Sequence, residues 1–225
     1  MIIPDATEIE AVVLAAPLVS GHQRSVYGVP DISDTVLKIP HYRQQDGMHR
    51  VFKRSLRRMF PAGRFRVLTK EAEFQMALTL RYPSEAVLLP LPQFRGFVAT
   101  DEGLGALWQM AAARAGGLGR NLRQIAEDGD LDSVRGPLNT CAARLFRFGI
   151  VAPDLHAGNL VLDETAALAR FLLVDGFGDR NVIPVRSMSR RLNEASLNKQ
   201  LAHVAAEVGL FWHESERKFR SIRGT

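Results

Sequence analysis

Hydrophobic and polar positions change their spacing along the chain, and the first forty residues have the spacing of strands. Apolar runs of five to nine residues occur at 12–20, 26–30 and 35–40, and Gly21 and Gly28 lie between or within them. Short apolar runs that are bounded by turn-forming residues are typical of β-strands. The start of the chain therefore predicts three short strands.

The next regular segment has helical spacing. In VLTKEAEFQMALTLR (67–81), Thr69 is a candidate cap, and Glu71 and Glu73 follow in the first turn, where the helix dipole favours anions. Glu71 shares a helix face with Val67, Phe74 and Leu78, so it is expected to point inward. The pattern predicts a helix over 67–81.

Three further apolar runs predict strands after this helix, at 86–92, 95–101 and 104–111. The last two flank Glu102-Gly103, which is a candidate hairpin turn. The first half of the chain is therefore expected to be rich in strands.

The second half begins with helical spacing and continues with two more short strands. Residues 121–128 and 133–150 predict helices, and in the second an apolar face recurs every three or four residues. Its members are Leu138, Cys141, Ala142, Leu145 and Phe148. Apolar runs at 160–163 and 171–175 predict a hairpin, and residues 188–222 predict a terminal helical region.

The register of this hairpin decides which polar residues meet. If residue 160 faces 174, and residue 163 faces 171, Asn159 lies opposite Asp175, at a distance of roughly 5 Å between directly opposed residues. Asp154 precedes the first strand in VAPDLHAGNLVLD (151–163). Carboxylate and amide oxygens are the ligands that Mg²⁺ prefers, usually with water and phosphate oxygens. The pattern predicts a site for magnesium and phosphate.

Composition limits the class of protein. The chain has 225 residues, of which 46% are hydrophobic and 24% charged, a balance typical of a globular protein. No apolar run is long enough to cross a bilayer, and the single cysteine, Cys141, cannot form a disulfide within the chain. The sequence predicts no membrane span and a cytoplasmic location.

The net charge of +5 is concentrated in one segment. Residues 49–66 combine apolar positions at helical spacing with basic side chains that include Arg54 and Arg57. Such a segment is typical of a solvated helix face, or of a surface that binds nucleic acid, an acidic protein or a membrane surface. Charge alone leaves these alternatives open.

Several stretches carry a resemblance to a known family. DLHAGN followed by LLVDGFGD resembles the catalytic loop and metal-binding motif of the protein-kinase-like fold. More closely, GHQRSVYGVP, TVLKIP and VDGFGDRNVIP together are similar to the small bacterial YrbL family of PhoP regulatory network proteins. The resemblance implies an α+β, two-lobed protein-kinase-like fold. A strand-rich N-lobe would span 1–112, with a basic insertion at 47–66, and a reduced helical C-lobe would span 113–225.

The same resemblance implies roles for individual residues and implies ATP and Mg²⁺ as cofactors. Asp154 matches the catalytic aspartate that orients or accepts the proton of the attacking hydroxyl, and Asn159 and Asp175 match the magnesium ligands. Lys38 matches the lysine on the nucleotide phosphates. Its helix partner is expected to be Glu71, with Glu73 as the alternative.

The remaining nucleotide contacts implied by the resemblance lie in two segments. The phosphate-covering loop would span 20–26, where Gly21 and Arg24 are candidate contacts, and the adenine-binding hinge would span Met110 to Ala112. The loop lacks the usual three glycines, so side chains such as Arg24 are expected to do part of the work of backbone amides. The sequence assigns no role to His156.

Three functions are compatible with these features. The first is a phosphotransferase that moves the γ-phosphate of ATP to a hydroxyl of an unidentified protein or small molecule. The second is a nucleotide-binding regulator that is weak or inactive as an enzyme. The third is a module that binds nucleic acid or an acidic partner through residues 49–66 on a kinase-like scaffold.

Overall fold

The computed structural model is an α+β protein, as expected. It describes residues 16–21, 24–29, 32–41, 66–100, 103–178 and 189–221. The chain divides into two compact units. The sheet unit comprises the described residues up to Glu73 together with Phe94–Gln109, and the helical unit comprises Phe74–Gln93 and the described residues from Met110 onward.

The sheet unit is built on five antiparallel strands in the order β1-β2-β3-β5-β4. The strands are β1 (Val19–Ser20), β2 (Arg24–Gly28), β3 (Thr35–Pro40), β4 (Phe94–Thr100) and β5 (Gly103–Gln109). One face buries a cluster of apolar side chains that includes Tyr27, Leu37, Ile39 and Leu107. Burial of this face fixes the strand register, because a slip of one residue would turn those side chains to solvent. The predicted hairpin between the last two strands is confirmed, with Thr100 paired to Gly103.

The first described helix, α1 (Arg66–Arg81), confirms the helix predicted over 67–81. The strand predicted at 86–92 is wrong: a 3-10 helix spans Pro83–Leu88 instead. Pro83 at the start of this turn favours helical backbone angles. Pro90 and Pro92 have no N–H to donate to a β-ladder. Apolar residues in this stretch are still buried, with Leu89 and Leu91 only 2% and 3% exposed.

In the helical unit, α2 (Leu122–Glu127) and α3 (Leu131–Arg147) confirm the two predicted helices. Every member of the predicted apolar face of α3 and its C-cap is buried, including Cys141. Burial raises the pKa of the Cys141 thiol to about 12, so this cysteine is an unreactive core residue.

The chain continues through the hairpin β6 (Leu160–Asp163) and β7 (Arg170–Leu173) to α4 (Arg190–Glu207). The terminal helix predicted over 188–222 is correct only in its first part. A second hairpin follows, formed by β8 (Leu210–His213) and β9 (Lys218–Ser221). Gly209 ends the helix at a φ of 71°, a conformation that glycine adopts without strain.

Several sequence predictions concern residues outside the described ranges. They include most of the basic segment 49–66, part of the first predicted strand, Glu102 in the predicted hairpin turn, and His22 and Gln23 in the predicted phosphate loop. Among the described residues, no helix is long and apolar enough to cross a bilayer.

Candidate functional site

The loop that carries Asp154 and Asn159 leads directly into β6, and β6 pairs with β7. Leu160 lies opposite Leu173, and Asp163 lies opposite Arg170. The predicted register is therefore wrong by one residue, and Asn159 lies across from Val174, whose N–H donates to the Asn159 carbonyl at 2.9 Å.

A charged pair at the far end of the hairpin accounts for this register. Asp163 is 1% exposed, and the Arg170 Nε donates to its carboxylate at 3.2 Å. The same carboxylate accepts hydrogen bonds from the N–H and hydroxyl of Thr165. Opposite charges placed directly across an antiparallel pair stabilise that alignment, and a buried carboxylate requires such partners.

Backbone hydrogen bonds hold the loop against the segment that follows β7. The Asp154 N–H donates to the Gly176 carbonyl at 3.4 Å, and the Gly178 N–H donates to the Val151 carbonyl at 2.8 Å. With the bond from Val174 to Asn159, these contacts lie on both sides of Asp175 in the sequence. The loop hydrogen bonds, rather than the predicted β-ladder pairing, thus bring these two segments together.

Gly176 makes this close approach possible. Its φ is +76°, and a Cβ placed on it would lie 2.8 Å from both the Cβ and the carbonyl oxygen of Asp154. A side chain at this position would be strained by the backbone angle and would also collide with the loop. Gly176, the first glycine of the LLVDGFGD stretch, is therefore required by the conformation of the candidate site.

Asn159 ends a 3-10 turn, Ala157–Asn159, that is capped by its own loop. The Nδ2 of Asn159 donates to the Asp154 carbonyl at 3.1 Å. This bond assigns the amide, since only its nitrogen can donate to a carbonyl. The Oδ1 of Asn159 accepts no hydrogen bond from the described residues.

His156 receives a structural role that the sequence did not assign. It is the N-cap of the turn, and its Nδ1 accepts a hydrogen bond from the Gly158 N–H at 3.1 Å. A cap of this kind satisfies an amide that the turn leaves without a backbone partner. His156 therefore shapes the loop between Asp154 and Asn159.

The two candidate carboxylates differ in their surroundings. Asp154 is exposed, whereas Asp175 is half-buried, and the Oδ1 of Asp175 accepts a hydrogen bond from the Gly176 N–H at 2.6 Å. No group of three or more His, Cys, Asp or Glu side chains suited to a metal occurs among the described residues. The predicted metal site has another composition: one amide and one carboxylate.

The sheet unit contains four of the other predicted site residues, Gly21, Arg24, Lys38 and Glu71, and the last three are buried. Lys38 is 5% exposed, and its Nζ lies 5.1 Å from the centre of the Trp108 ring, within the range of a cation–π contact. Glu71 is 2% exposed, whereas Glu73 on the same helix is exposed. The helix face thus points Glu71 inward.

Arg24 binds Glu71 in this structure. The Arg24 guanidinium donates two hydrogen bonds to the Glu71 carboxylate, at 2.9 and 3.1 Å. The two side chains are only 8% and 2% exposed. The bidentate geometry is the strongest form of this interaction. The sequence had assigned Arg24 to phosphate and had assigned Glu71 to Lys38, and both of those contacts stay predictions.

The predicted phosphate loop and hinge are partly described. The Gly21 N–H donates to the Arg24 carbonyl at 2.9 Å, which continues the pairing of β1 with β2 by one residue. Met110 and Ala112 are 8% and 6% exposed, and the boundary between the two units falls between Gln109 and Met110. The predicted hinge therefore begins where the chain passes from one unit to the other.

Comparison with known proteins identifies the family. The family described as PhoP regulatory network protein YrbL matches residues 13–209. The chain belongs to the YrbL family. Among solved structures, this YrbL-family protein is similar to the kinase domain of Mycobacterium tuberculosis PknI, with 16% identity and a TM-score of 0.44. That match covers 88% of this chain and 75% of the PknI chain. No curated protein matches this chain.

Sequence reasoning missed one set of residues that contact the loop of the YrbL-family protein. Asn193, Gln200 and Glu207 of α4 each form a hydrogen bond with the backbone between Ile150 and Ala157. Their regular seven-residue spacing was visible in the sequence. It resembled an ordinary polar face, since nothing in the sequence states which segment packs beside the helix.

Proposed function

We propose that this YrbL-family protein is an ATP- and Mg²⁺-dependent phosphotransferase that acts on a hydroxyl group. The observation that carries the proposal is the tie between the loop Asp154–Asn159 and the segment Val174–Gly178. This tie places an exposed carboxylate, an available amide oxygen and a second carboxylate on adjoining segments. Catalysis of phosphoryl transfer depends mainly on positioning and charge stabilisation, and groups held on adjoining segments support a role of this kind.

Asp154 has the role of orienting the acceptor hydroxyl. Its carboxylate accepts the hydroxyl proton while the acceptor oxygen bonds to the γ-phosphorus. The bond from that phosphorus to the bridging oxygen breaks, and ADP leaves with the electron pair. Exposure of Asp154 fits this role, because the base must reach a substrate from solution.

Asn159 and Asp175 are the residues that would hold magnesium. The ligand atoms are an amide oxygen and a carboxylate oxygen, which are the hard ligands that this ion prefers. The Nδ2 of Asn159 donates to the Asp154 carbonyl. The Oδ1 of Asn159 is therefore the atom of this amide that would bind a cation. Bound magnesium supplies neutralisation of phosphate charge.

The proposal assigns Lys38 to the nucleotide phosphates and the segment Met110–Ala112 to the adenine. The support is the resemblance of TVLKIP to the corresponding kinase strand and the burial of Lys38 next to Trp108. Gly21 and Arg24, joined by a backbone hydrogen bond, belong to the proposed phosphate loop. Glu71 contributes through the buried charge network that it forms with Arg24.

The test is transfer of label from γ-labelled ATP in the presence of Mg²⁺. The wild-type chain is compared with Asp154→Asn and Asp175→Asn, and Asp132→Asn is the matched control. Asp132 is an exposed aspartate whose ion-pair partner is Arg135, three residues along the same helix. We expect self-labelling or ATP turnover in the wild type and the control, and a loss of at least about 100-fold in the other two variants. A wild type that transfers no label contradicts the proposal.

One observation favours the second candidate, a nucleotide-binding regulator with little activity. Arg24, the predicted phosphate contact, is held by Glu71 in a buried bidentate pair. The family description names the PhoP regulatory network, which agrees with a regulatory role. Saturable binding of Mg-ATP without transfer of label supports this candidate over the first.

A further inference from the structure

Helix α4 contacts the candidate catalytic loop through three polar side chains at seven-residue intervals. The Nδ2 of Asn193 donates to the Ile150 carbonyl at 3.1 Å, and the Nε2 of Gln200 donates to the Pro153 carbonyl at 3.2 Å. The carboxylate of Glu207 accepts from the Ala157 N–H at 3.1 Å. Each contact joins a side chain of the helix to the backbone of the loop.

The spacing of the contacts shows how the two segments run. Fourteen residues of helix, from Asn193 to Glu207, rise about 21 Å. Seven residues of chain, from Ile150 to Ala157, reach about 23 to 25 Å when fully extended. The loop is therefore long enough to follow the helix in the same direction, with one contact in every two helical turns.

Core packing of α4 does not explain these side chains. The helix packs through apolar residues such as Leu197, Leu201 and Val204, each at most 1% exposed. Asn193 is 4% exposed, and its Oδ1 has no hydrogen-bond partner among the described residues. Burial of an amide that is only partly satisfied costs stability, so an apolar residue would serve packing better.

Glu207 binds the first amide of the turn that ends at Asn159. The turn Ala157–Asn159 has three amides to satisfy, and His156 satisfies two of them, through its Nδ1 for Gly158 and its carbonyl for Asn159. The Ala157 N–H depends on Glu207, which lies 50 residues away in the sequence. One of the three amides of the turn therefore depends on a distant carboxylate.

The Glu207 carboxylate is itself held by two other side chains. The NH2 of Arg123 donates to its Oε2 at 3.1 Å, and the Nε2 of His203 lies 3.1 Å from its Oε1. Desolvation raises the pKa of Glu207, but the bonds from Ala157 and Arg123 outweigh it, and the pKa lies below its ordinary value of 4.5. The carboxylate is thus charged and oriented at neutral pH.

We propose that Glu207 is a positioning residue that fixes the turn carrying Asn159 and so sets the affinity of the site for magnesium. This inference rests on the proposed function, since it assigns Asn159 to the metal. Outer partners of metal ligands typically change metal affinity or activity by about 10- to 100-fold when they are removed. We expect an effect of that size at Glu207.

The experiment compares Glu207→Ala and Glu207→Gln with the wild-type chain. The matched control is Glu194→Ala, since Glu194 lies on the same helix and binds Arg190 and Arg217 at 2.9 Å. The first readout is hydrogen–deuterium exchange of the peptide covering 154–159, measured without nucleotide or metal. We expect faster exchange in Glu207→Ala only, because the amide oxygen of glutamine still accepts from the Ala157 N–H.

The second readout is the Mg²⁺ concentration that gives half-maximal transfer from labelled ATP. We expect this concentration to rise about 10- to 100-fold in Glu207→Ala, with rescue in Glu207→Gln and no change in Glu194→Ala. A general loss of stability would lower the rate without shifting the Mg²⁺ requirement. Circular dichroism confirms that each variant folds before it is compared.

The outcomes separate this inference from the proposed function. Equal exchange in Glu207→Ala and Glu194→Ala overturns the inference even if the wild type is an active transferase. Faster exchange with an unshifted Mg²⁺ requirement also overturns it, because Glu207 is then a structural contact only. A wild type that transfers no label overturns the proposed function, and with it the assignment to magnesium, whatever the exchange shows.

Discussion

The two units of this protein hold their candidate functional groups in opposite ways. In the sheet unit, Arg24, Lys38 and Glu71 lie on regular elements and are each at most 7% exposed. In the helical unit, Asp154 is exposed on a loop whose backbone is tied to the Gly176 carbonyl. Pairing between side chains thus stabilises the first set, whereas hydrogen bonds to the loop backbone stabilise the second.

From this difference we expect the two units to tolerate different kinds of substitution. A buried ion pair fails when either partner is removed, because the remaining charge is left without compensation. A loop held through its backbone tolerates changes of side chains that do not bind that backbone, but it fails where the backbone conformation cannot be adopted. The following predictions test this contrast.

The largest expected effect on stability is that of Glu71→Ala. Removal of the carboxylate leaves the buried Arg24 guanidinium without its bidentate partner, at a cost of about 3 to 5 kcal/mol in the unfolding free energy of the sheet unit. Urea denaturation in a Trp212→Phe background measures it, since Trp108 then reports on the sheet unit alone. Glu73→Ala, at an exposed position of the same helix, is expected to change that free energy by less than about 0.5 kcal/mol.

A paired replacement sharpens this prediction. Arg24→Met combined with Glu71→Leu removes both charges and fills similar volumes, so most of the lost stability is expected to return. If the double variant is as unstable as Glu71→Ala, the ion pair does not explain the effect. The phosphate-binding role predicted for Arg24 is tested with the same protein by its affinity for Mg-ATP.

Gly176→Ala is expected to have the next largest effect, of about 2 to 4 kcal/mol on the helical unit. A positive φ costs about 1 to 2 kcal/mol for alanine, and the new Cβ also collides with Asp154, which adds overpacking strain. Gly209→Ala is the matched control, because its φ is +71° and no atom lies within 4 Å of the added Cβ. Urea denaturation measures both variants in a Trp108→Phe background, since Trp212 then reports on the helical unit alone.

The same comparison includes activity. Transfer of label is expected to fall at least about 100-fold in Gly176→Ala and to stay near the wild-type level in Gly209→Ala, because only the first change displaces Asp154. Equal destabilisation of the two variants would mean that the close approach of Gly176 to Asp154 contributes nothing beyond backbone strain.

The smallest expected effect concerns the exposed ion pair of the sheet unit. The hydrogen bond from Arg95 and the charge of its guanidinium hold the pKa of Asp34 below its ordinary value of 3.8. A depressed pKa means that the pair stabilises the folded state above that value and that this contribution disappears as the pH falls below it. The side chain of Asp34 is 65% exposed, so the contribution is less than about 1 kcal/mol at neutral pH.

The variant Asp34→Asn tests the direction in which the contribution of this ion pair changes with pH. We expect the stability difference between the wild type and the variant to shrink as the pH is lowered from 7 to 3, as measured by urea denaturation at each pH. Sodium chloride at 1 M should reduce the same difference, because an exposed pair is screened. A difference that grows on acidification would contradict the assignment.

Local sequence patterns predicted the elements whose environment is simple. The helical spacing of 67–81 and of 133–150 predicted α1 and α3, because an amphipathic face determines both the helix and its buried side. The same patterns failed at 86–92, where prolines replaced a strand by a 3-10 turn, and at 210–221, where a hairpin follows α4. In those stretches, short apolar runs suited more than one element.

The amino-acid sequence is sufficient to identify which chemical groups are present at the candidate site and on which segments they lie. Asp154, Asn159 and Asp175, with the glycine that follows, could be identified from their motif and its resemblance to a family. Their hydrogen-bond partners depend on the tertiary structure. The hairpin register differs by one residue from the predicted one, Arg24 binds Glu71, and Glu207 accepts from the Ala157 N–H. These contacts join residues that are distant in the sequence, and their formation depends on how whole elements pack, which local spacing does not encode.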